Sequence, residues 1–179
     1  MQWRILGPLE VTDGDRPVDL GGPKQRALLA VLLIDANRVV TLDRLIEALW
    51  REAPPARATA TLQVFISNLR RSLEPGRAPR SPATVLLTRP PGYLLRVEPG
   101  ELDAARFERL AQDGRRLLVE RDPAGAHAAL SEALRQWRGP ALAEVAHEPL
   151  AQGEANRLER LRLLATEDRL QAELDLGRH

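Results

Sequence analysis

Apolar residues recur at spacings of three and four between Arg57 and Leu73, RATATLQVFISNLRRSL, placing Leu62, Phe65, Ile66, Leu69 and Leu73 on one stripe. This spacing predicts a single amphipathic helix of roughly four to five turns with that stripe on a core. At about 100° per residue, Ala60, Val64, Ser67 and Arg71 fall opposite the stripe, with Gln63 and Asn68 on its shoulders and Arg70 further round. Upstream, Trp3 to Leu6, Leu9 to Thr12 and Arg16 to Leu20 alternate apolar and polar positions around Gly7-Pro8 and Asp13-Gly14-Asp15, the pattern of three short antiparallel strands. Gly22-Pro23 opens a first helix with Ala27, Leu28, Val31 and Leu32 inward, and Asn37 stops it. Thr41 is placed to cap a second helix, buried through Leu42, Leu45, Ile46 and Leu49 and ended by Pro54-Pro55.

After the helix that ends at Leu73, EPGRAPRSPA reads as a loop and TVLLTRPPGYLLRV, Thr84 to Val97, as a hairpin. Pro91 and Gly92 suit the two central positions of a type II turn, with Gly92 supplying a positive φ, and Tyr93, Leu95 and Val97 alternate inward beyond it. The remainder reads as helix throughout. Asp103 can cap a helix with Phe107, Leu110, Ala111, Leu117 and Leu118 inward, and Asp122-Pro123 opens another with Ala126, Leu130, Ala133, Leu134 and Trp137 on one face. From Pro149 a long helix carries two apolar faces: Leu158, Leu161, Ala165 and Ala172 on one side, and Leu163, Leu170 and Leu174 nearly opposite.

Three helices followed by a hairpin make a winged helix, in which the third helix enters the DNA major groove and the hairpin tip lies beside the backbone or minor groove. The outer face of Arg57 to Leu73 has the chemistry for this. Gln63 and Asn68 can pair with adenine, Val64 can touch a thymine methyl, and Ser67 is small and polar. Arg70, Arg71 and the hairpin's Arg89 are expected on phosphate or in the minor groove, with Thr59 and Thr61 contacting phosphate near the helix start. Charge agrees with a polyanion partner. The chain has a net charge of +1, but residues 51–99 hold 8 arginines against 3 acids, and residues 100–179 hold 12 arginines against 15 acids, or −3.

Composition narrows the function classes. There is no cysteine, so disulfides and thiolate metal sites are excluded, and the three histidines are too scattered for a metal cluster. The sequence offers no phosphate-cradling glycine loop, no activated nucleophile and no cofactor motif, so a non-enzymatic role is expected. No apolar run reaches membrane-span length and the N-terminus lacks a signal-peptide layout, which makes a cytoplasmic protein the default expectation.

SNLRRSLEP (Ser67 to Pro75) and TRPPGYLL (Thr88 to Leu95) resemble the OmpR-type winged helix. More closely, GPKQRALLAVLL (Gly22 to Leu33), TLQVFISNLRRSL and RPPGYLL resemble the Streptomyces antibiotic regulatory protein family of bacterial activators. The resemblance continues through LDAARFERLAQDGRRLL, ALSEALRQWRGPALAEV and AELDLGRH, which are similar to that family's bacterial transcriptional activation domain. It implies a mainly α fold with small antiparallel sheets, an OmpR-type DNA-binding domain over residues 1–97, and a tetratricopeptide-like helical domain over 98–179 that is incomplete at its C-terminus. It further implies an activator of secondary-metabolite (antibiotic) genes, bound to direct repeats of double-stranded DNA as a head-to-tail homodimer and recruiting RNA polymerase through its sigma factor. A repressor with the same DNA contacts, and a helical protein-interaction scaffold, stay open on pattern alone.

Overall fold

The computed structural model describes residues 1–51, 53–78, 80–146 and 148–177. His147, and the Arg178 and His179 that complete the LGRH word, lie outside the described residues. The chain begins with an antiparallel sheet in the order β1 (Gln2–Arg4), β2 (Glu10–Asp13), β3 (Arg16–Pro17). These strands are shorter than the alternation suggests, but Trp3 and Val11 pair across them and both side chains are buried. Then follow α1 (Pro23–Ile34), β4 (Val39–Thr41), α2 (Leu42–Trp50), α3 (Ala58–Leu73), β5 (Leu86–Arg89) and β6 (Gly92–Leu95), with a second sheet ordered β4-β6-β5.

Local chemistry accounts for the boundaries. Pro23 occupies the start of α1, where no intrahelical N–H is needed, and Asn37 ends the segment in the left-handed region at φ 65°. Asn37 also ties the helix end to the hairpin. Its Nδ2 donates to the Val97 carbonyl at 2.9 Å, and its Oδ1 accepts the Val97 N–H at 3.0 Å. The next three residues form β4, which the sequence pattern did not predict, paired as Val39↔Leu94, Val40↔Tyr93 and Thr41↔Gly92. Thr41 then caps α2 as expected, its hydroxyl accepting from the Arg44 N–H at 3.3 Å.

The second half is α4 (Asp103–Val119), α5 (Pro123–Leu134) and α6 (Pro149–Asp175). Asp122 caps α5 through the Gly125 N–H at 2.9 Å, as its sequence context suggests. Phe107, Ala126, Leu130 and Ala133 are buried between helices, and the indole of Trp137 meets the Phe107 ring edge-on with centroids 5.2 Å apart. The two-faced character of α6 is real. Leu158, Ala165 and Ala172 are buried, whereas Leu163 is 60% exposed and Leu170 and Leu174 are also exposed.

One apolar core runs from Trp3 to Ala172 through both halves. The segment from Trp3 to Leu6 joins them. The Trp3 N–H donates to the Glu101 carbonyl at 2.8 Å, the Arg138 N–H to the Leu6 carbonyl at 2.8 Å, and the Leu142 N–H to the Ile5 carbonyl at 2.7 Å. Gly7 turns the chain away at φ +148°, where an added Cβ would lie 3.0 Å from Cβ of Arg138.

Asp103 departs from its expected role. The residue preceding α4 is Leu102, which makes no side-chain cap, and Asp103 instead turns its carboxylate toward the first half. It accepts the Ile5 N–H at 2.9 Å, the Leu6 N–H at 3.0 Å and the Ala104 N–H at 2.8 Å while only 6% exposed. Burial pushes its pKa above the usual aspartate value, against the opposing pull of those N–H groups and of Arg138. Every neighbour of the carboxylate is a donor, so an amide in its place must point its own N–H₂ at another N–H. Asp103→Asn is expected to lower stability by about 1–3 kcal/mol, read as a drop in the urea unfolding midpoint at unchanged slope.

Candidate nucleic-acid interface

The helix α3 is clamped on its apolar side. Leu62, Ile66, Leu69 and Leu73 are buried, and Phe65 lies partly covered with its ring stacked on Trp50 at 6.2 Å. The opposite face is open. Thr59, Ala60, Gln63, Ser67 and Arg71 are exposed, and Val64 is 56% exposed, an apolar side chain with nothing above it. Thr61 is only partly exposed, and its hydroxyl donates back to the Arg57 carbonyl at 3.1 Å. The first turn of α3 has no side-chain cap, so it keeps N–H groups available for an anion.

Two of the predicted contact residues, both partly exposed, are engaged by other side chains and backbone of the protein. Asn68 Nδ2 donates to Oε1 of Gln25 at 3.3 Å, and the buried Gln25 in turn donates from Nε2 to the Leu20 carbonyl at 3.0 Å. The amide of Asn68 is therefore turned toward α1. Arg70 reaches sideways to the hairpin, with Nε donating to the Leu86 carbonyl at 2.8 Å and Nη2 to the Thr88 hydroxyl at 2.8 Å. Its guanidinium also lies 5.8 Å from the centroid of the Tyr93 ring, and burial pulls its pKa below the usual arginine value. Arg71, one position on, projects into solvent.

Thr88 and Tyr93 are site residues that the sequence reading missed. They are direct partners in the β5–β6 register and so share one face, a relation readable only once the hairpin register is known. Gln25 was missed too, although a polar residue set inside GPKQRALLAVLL was a signal of a buried hydrogen bond.

The hairpin tip differs from the expected type II turn. The loop is Pro90-Pro91 with a cis peptide bond between them, the geometry of a type VI turn, and Gly92 does not take a positive φ. The glycine answers a different need. A Cβ at Gly92 would sit 1.8 Å from the Val40 carbonyl oxygen, so a side chain there would force β4 off β6. Arg89, paired with Gly92 at the end of β5, is exposed at the hairpin tip.

Comparison with known proteins agrees with this architecture. The model of the transcriptional regulatory protein C-terminal domain matches residues 15–95, and that of the bacterial transcriptional activator domain matches residues 102–179. The regulatory protein DnrI of Streptomyces peucetius is 39% identical over 183 residues, which cover 100% of this chain and 67% of DnrI. The chain belongs to the Streptomyces antibiotic regulatory protein family. Transcriptional regulatory protein EmbR of Mycobacterium tuberculosis is likewise 39% identical over 99% of this chain, which spans 45% of EmbR. The solved structure of EmbR in complex with a low affinity phosphopeptide superposes with a TM-score of 0.91, covering 99% of this chain and 46% of that one. The chain thus spans about half the length of EmbR. Both matched models describe regulatory domains and neither is an enzyme. Among the described residues no helix is long and apolar enough to cross a membrane.

For this family member the fit of Gly92 against β4 is a direct test of the winged geometry. Gly92→Ala is expected to cost about 3 kcal/mol in urea unfolding because its Cβ meets backbone, whereas Gly76→Ala, where an added Cβ meets nothing within 4 Å, should be near neutral.

Proposed function

We propose that this chain is a sequence-specific DNA-binding transcriptional activator, with residues 1–97 as the DNA-reading unit and residues 98–179 as the helical unit that meets RNA polymerase and its sigma factor. The observation that supports this reading best is the open face of α3. Its exposed Gln63, Val64 and Ser67 form a narrow, small-residue strip with Arg71 on the same helix and Arg89 at the adjacent wing tip. Solvation gives no reason for an exposed valine in the middle of that strip. A thymine methyl does. Thr59 and Thr61 lie at the helix N-terminus, where a phosphate oxygen is favoured by the free N–H groups and the helix dipole.

In this reading Gln63, Val64 and Ser67 read bases, and Arg71 and Arg89 hold phosphate or the minor groove. Asn68 retains the chemistry to read adenine only by giving up its bond to Gln25, so its contribution is the smaller one. The activating role, the direct-repeat site, the head-to-tail pair of protomers on DNA and the control of antibiotic biosynthesis genes are carried over from the family by likeness. The acidic balance of residues 100–179, at −3, is compatible with basic surfaces on polymerase.

Three experiments test it. Gln63→Ala and Val64→Ala should each cost about 1–3 kcal/mol on the cognate site and little on random DNA, while Arg71→Gln and Arg89→Gln should weaken binding on every sequence and reduce the salt slope by roughly one unit each. Equal losses on cognate and random DNA for Gln63 and Val64 would refute base reading. A footprint should then reveal a direct repeat with a period of about one helical turn, and run-off transcription from that promoter should rise when the protein is added. A palindromic footprint would overturn the head-to-tail arrangement, and falling transcription would make the protein a repressor.

A further inference from the structure

We infer that Arg70 is a positioning residue: it sets the wing against the recognition helix, so that Arg89 reaches DNA only while Arg70 holds β5. This rests on the DNA-binding reading above and assigns that reading's wing contact a dependence it did not have. Arg70 grips β5 at two points two residues apart, the Leu86 carbonyl and the Thr88 hydroxyl, both at 2.8 Å. Two anchors fix how far the strand slides along α3, where one would let it pivot. The ring of Tyr93, across the ladder from Thr88, closes the third side at 5.8 Å from the guanidinium. Arg89 is the next residue after Thr88, paired with Gly92 in the ladder, and among the described residues its side chain bonds only the Thr88 carbonyl, at 3.3 Å.

The planar fork is needed for this geometry. A guanidinium donates along two fixed directions from two nitrogens at once, whereas a lysine ammonium is a flexible point charge that does not impose that fork geometry. Arg71 makes the comparison internal to the molecule, since it carries the same charge on the same helix and projects into solvent. The two arginines of LRRSL therefore divide the work: Arg71 is free to meet phosphate, and Arg70 places Arg89.

The test measures binding of the 179-residue protein across a salt series. The probes are a duplex selected by the wild-type protein from a random pool and an unrelated duplex of equal length. The variants are Arg70→Gln, Arg70→Lys, Arg71→Gln, Arg89→Gln and the double Arg70→Gln/Arg89→Gln, each first checked for a cooperative melt. The inference expects Arg70→Gln to reduce the salt slope by roughly one unit and the double variant by no more, because the wing contact is already lost. It expects Arg70→Lys to resemble Arg70→Gln despite retaining its charge. Amides of β5 and β6 should also exchange faster in Arg70→Gln without DNA, while those of Arg71→Gln stay as in wild type.

Independent slope losses that add to roughly two units, together with rescue by lysine, would make Arg70 a direct phosphate contact and overturn the inference. Unchanged hairpin exchange in Arg70→Gln would overturn it without reference to DNA. A wild-type protein that enriches no duplex from the pool would defeat the DNA-binding reading itself, an outcome distinct from either of these.

Discussion

The carboxylate of Asp103 is the group on which the arrangement of the two halves depends. An aspartate taken out of water loses several kcal/mol of hydration, and it stays buried only where fixed donors replace that water. Here the donors are backbone N–H groups of Ile5 and Leu6 in the first half and of Ala104 in its own helix. The dependence runs both ways. Ile5 and Leu6 lie past the end of β1 and have no strand partner for those N–H groups, so without Asp103 two buried donors would go unsatisfied. The carbonyls of the same two residues accept from Leu142 and Arg138, which makes the Trp3 to Leu6 segment a shared element of both halves.

This explains which connections matter between the halves. Arg26 forms a forked pair with Glu144 across them, and Arg51 meets Glu148, but both pairs are partly or largely solvated and such bridges contribute at most about 1 kcal/mol each. The backbone bonds of residues 3–6 carry more, because breaking them leaves orphans in an apolar core with Trp3, Ile5 and Leu6 nearly fully buried. The short connection from Val97 to Asp103 then has little freedom left. Asn37 holds Val97 at one end and the Trp3–Glu101 bond holds the other.

What was legible in the sequence was whatever a local spacing or a local cap decides. The stripe of α3, the caps Thr41 and Asp122, and the two faces of α6 are properties of ten to twenty consecutive residues, and each appears in the structure where the pattern places it. What was not legible depends on a partner distant in sequence. The strand β4 is three residues long and exists because β6 pairs with it, and Gly92 is required by the carbonyl of Val40, not by the turn. Asp103 looked like an ordinary cap because its true partners lie nearly a hundred residues away. The helical wheel placed Asn68 and Arg70 on the flanks of α3, but a wheel cannot say which flank residues a neighbouring element will capture.

That capture fixes how α3 is presented. A helix laid in a groove must be fixed in roll as well as position, since about 100° of rotation replaces one residue face with the next. The buried stripe sets the roll only coarsely, because leucines and isoleucine pack without direction. Hydrogen bonds set it finely: Asn68 is tied through Gln25 to the loop before α1, and Arg70 is tied to β5 on the other flank. With both flanks pinned, the open face of α3 carries Thr59, Ala60, Gln63, Val64, Ser67 and Arg71. Holding Asn68 and Arg70 against neighbouring elements thus fixes the roll at which the open face of α3 is presented.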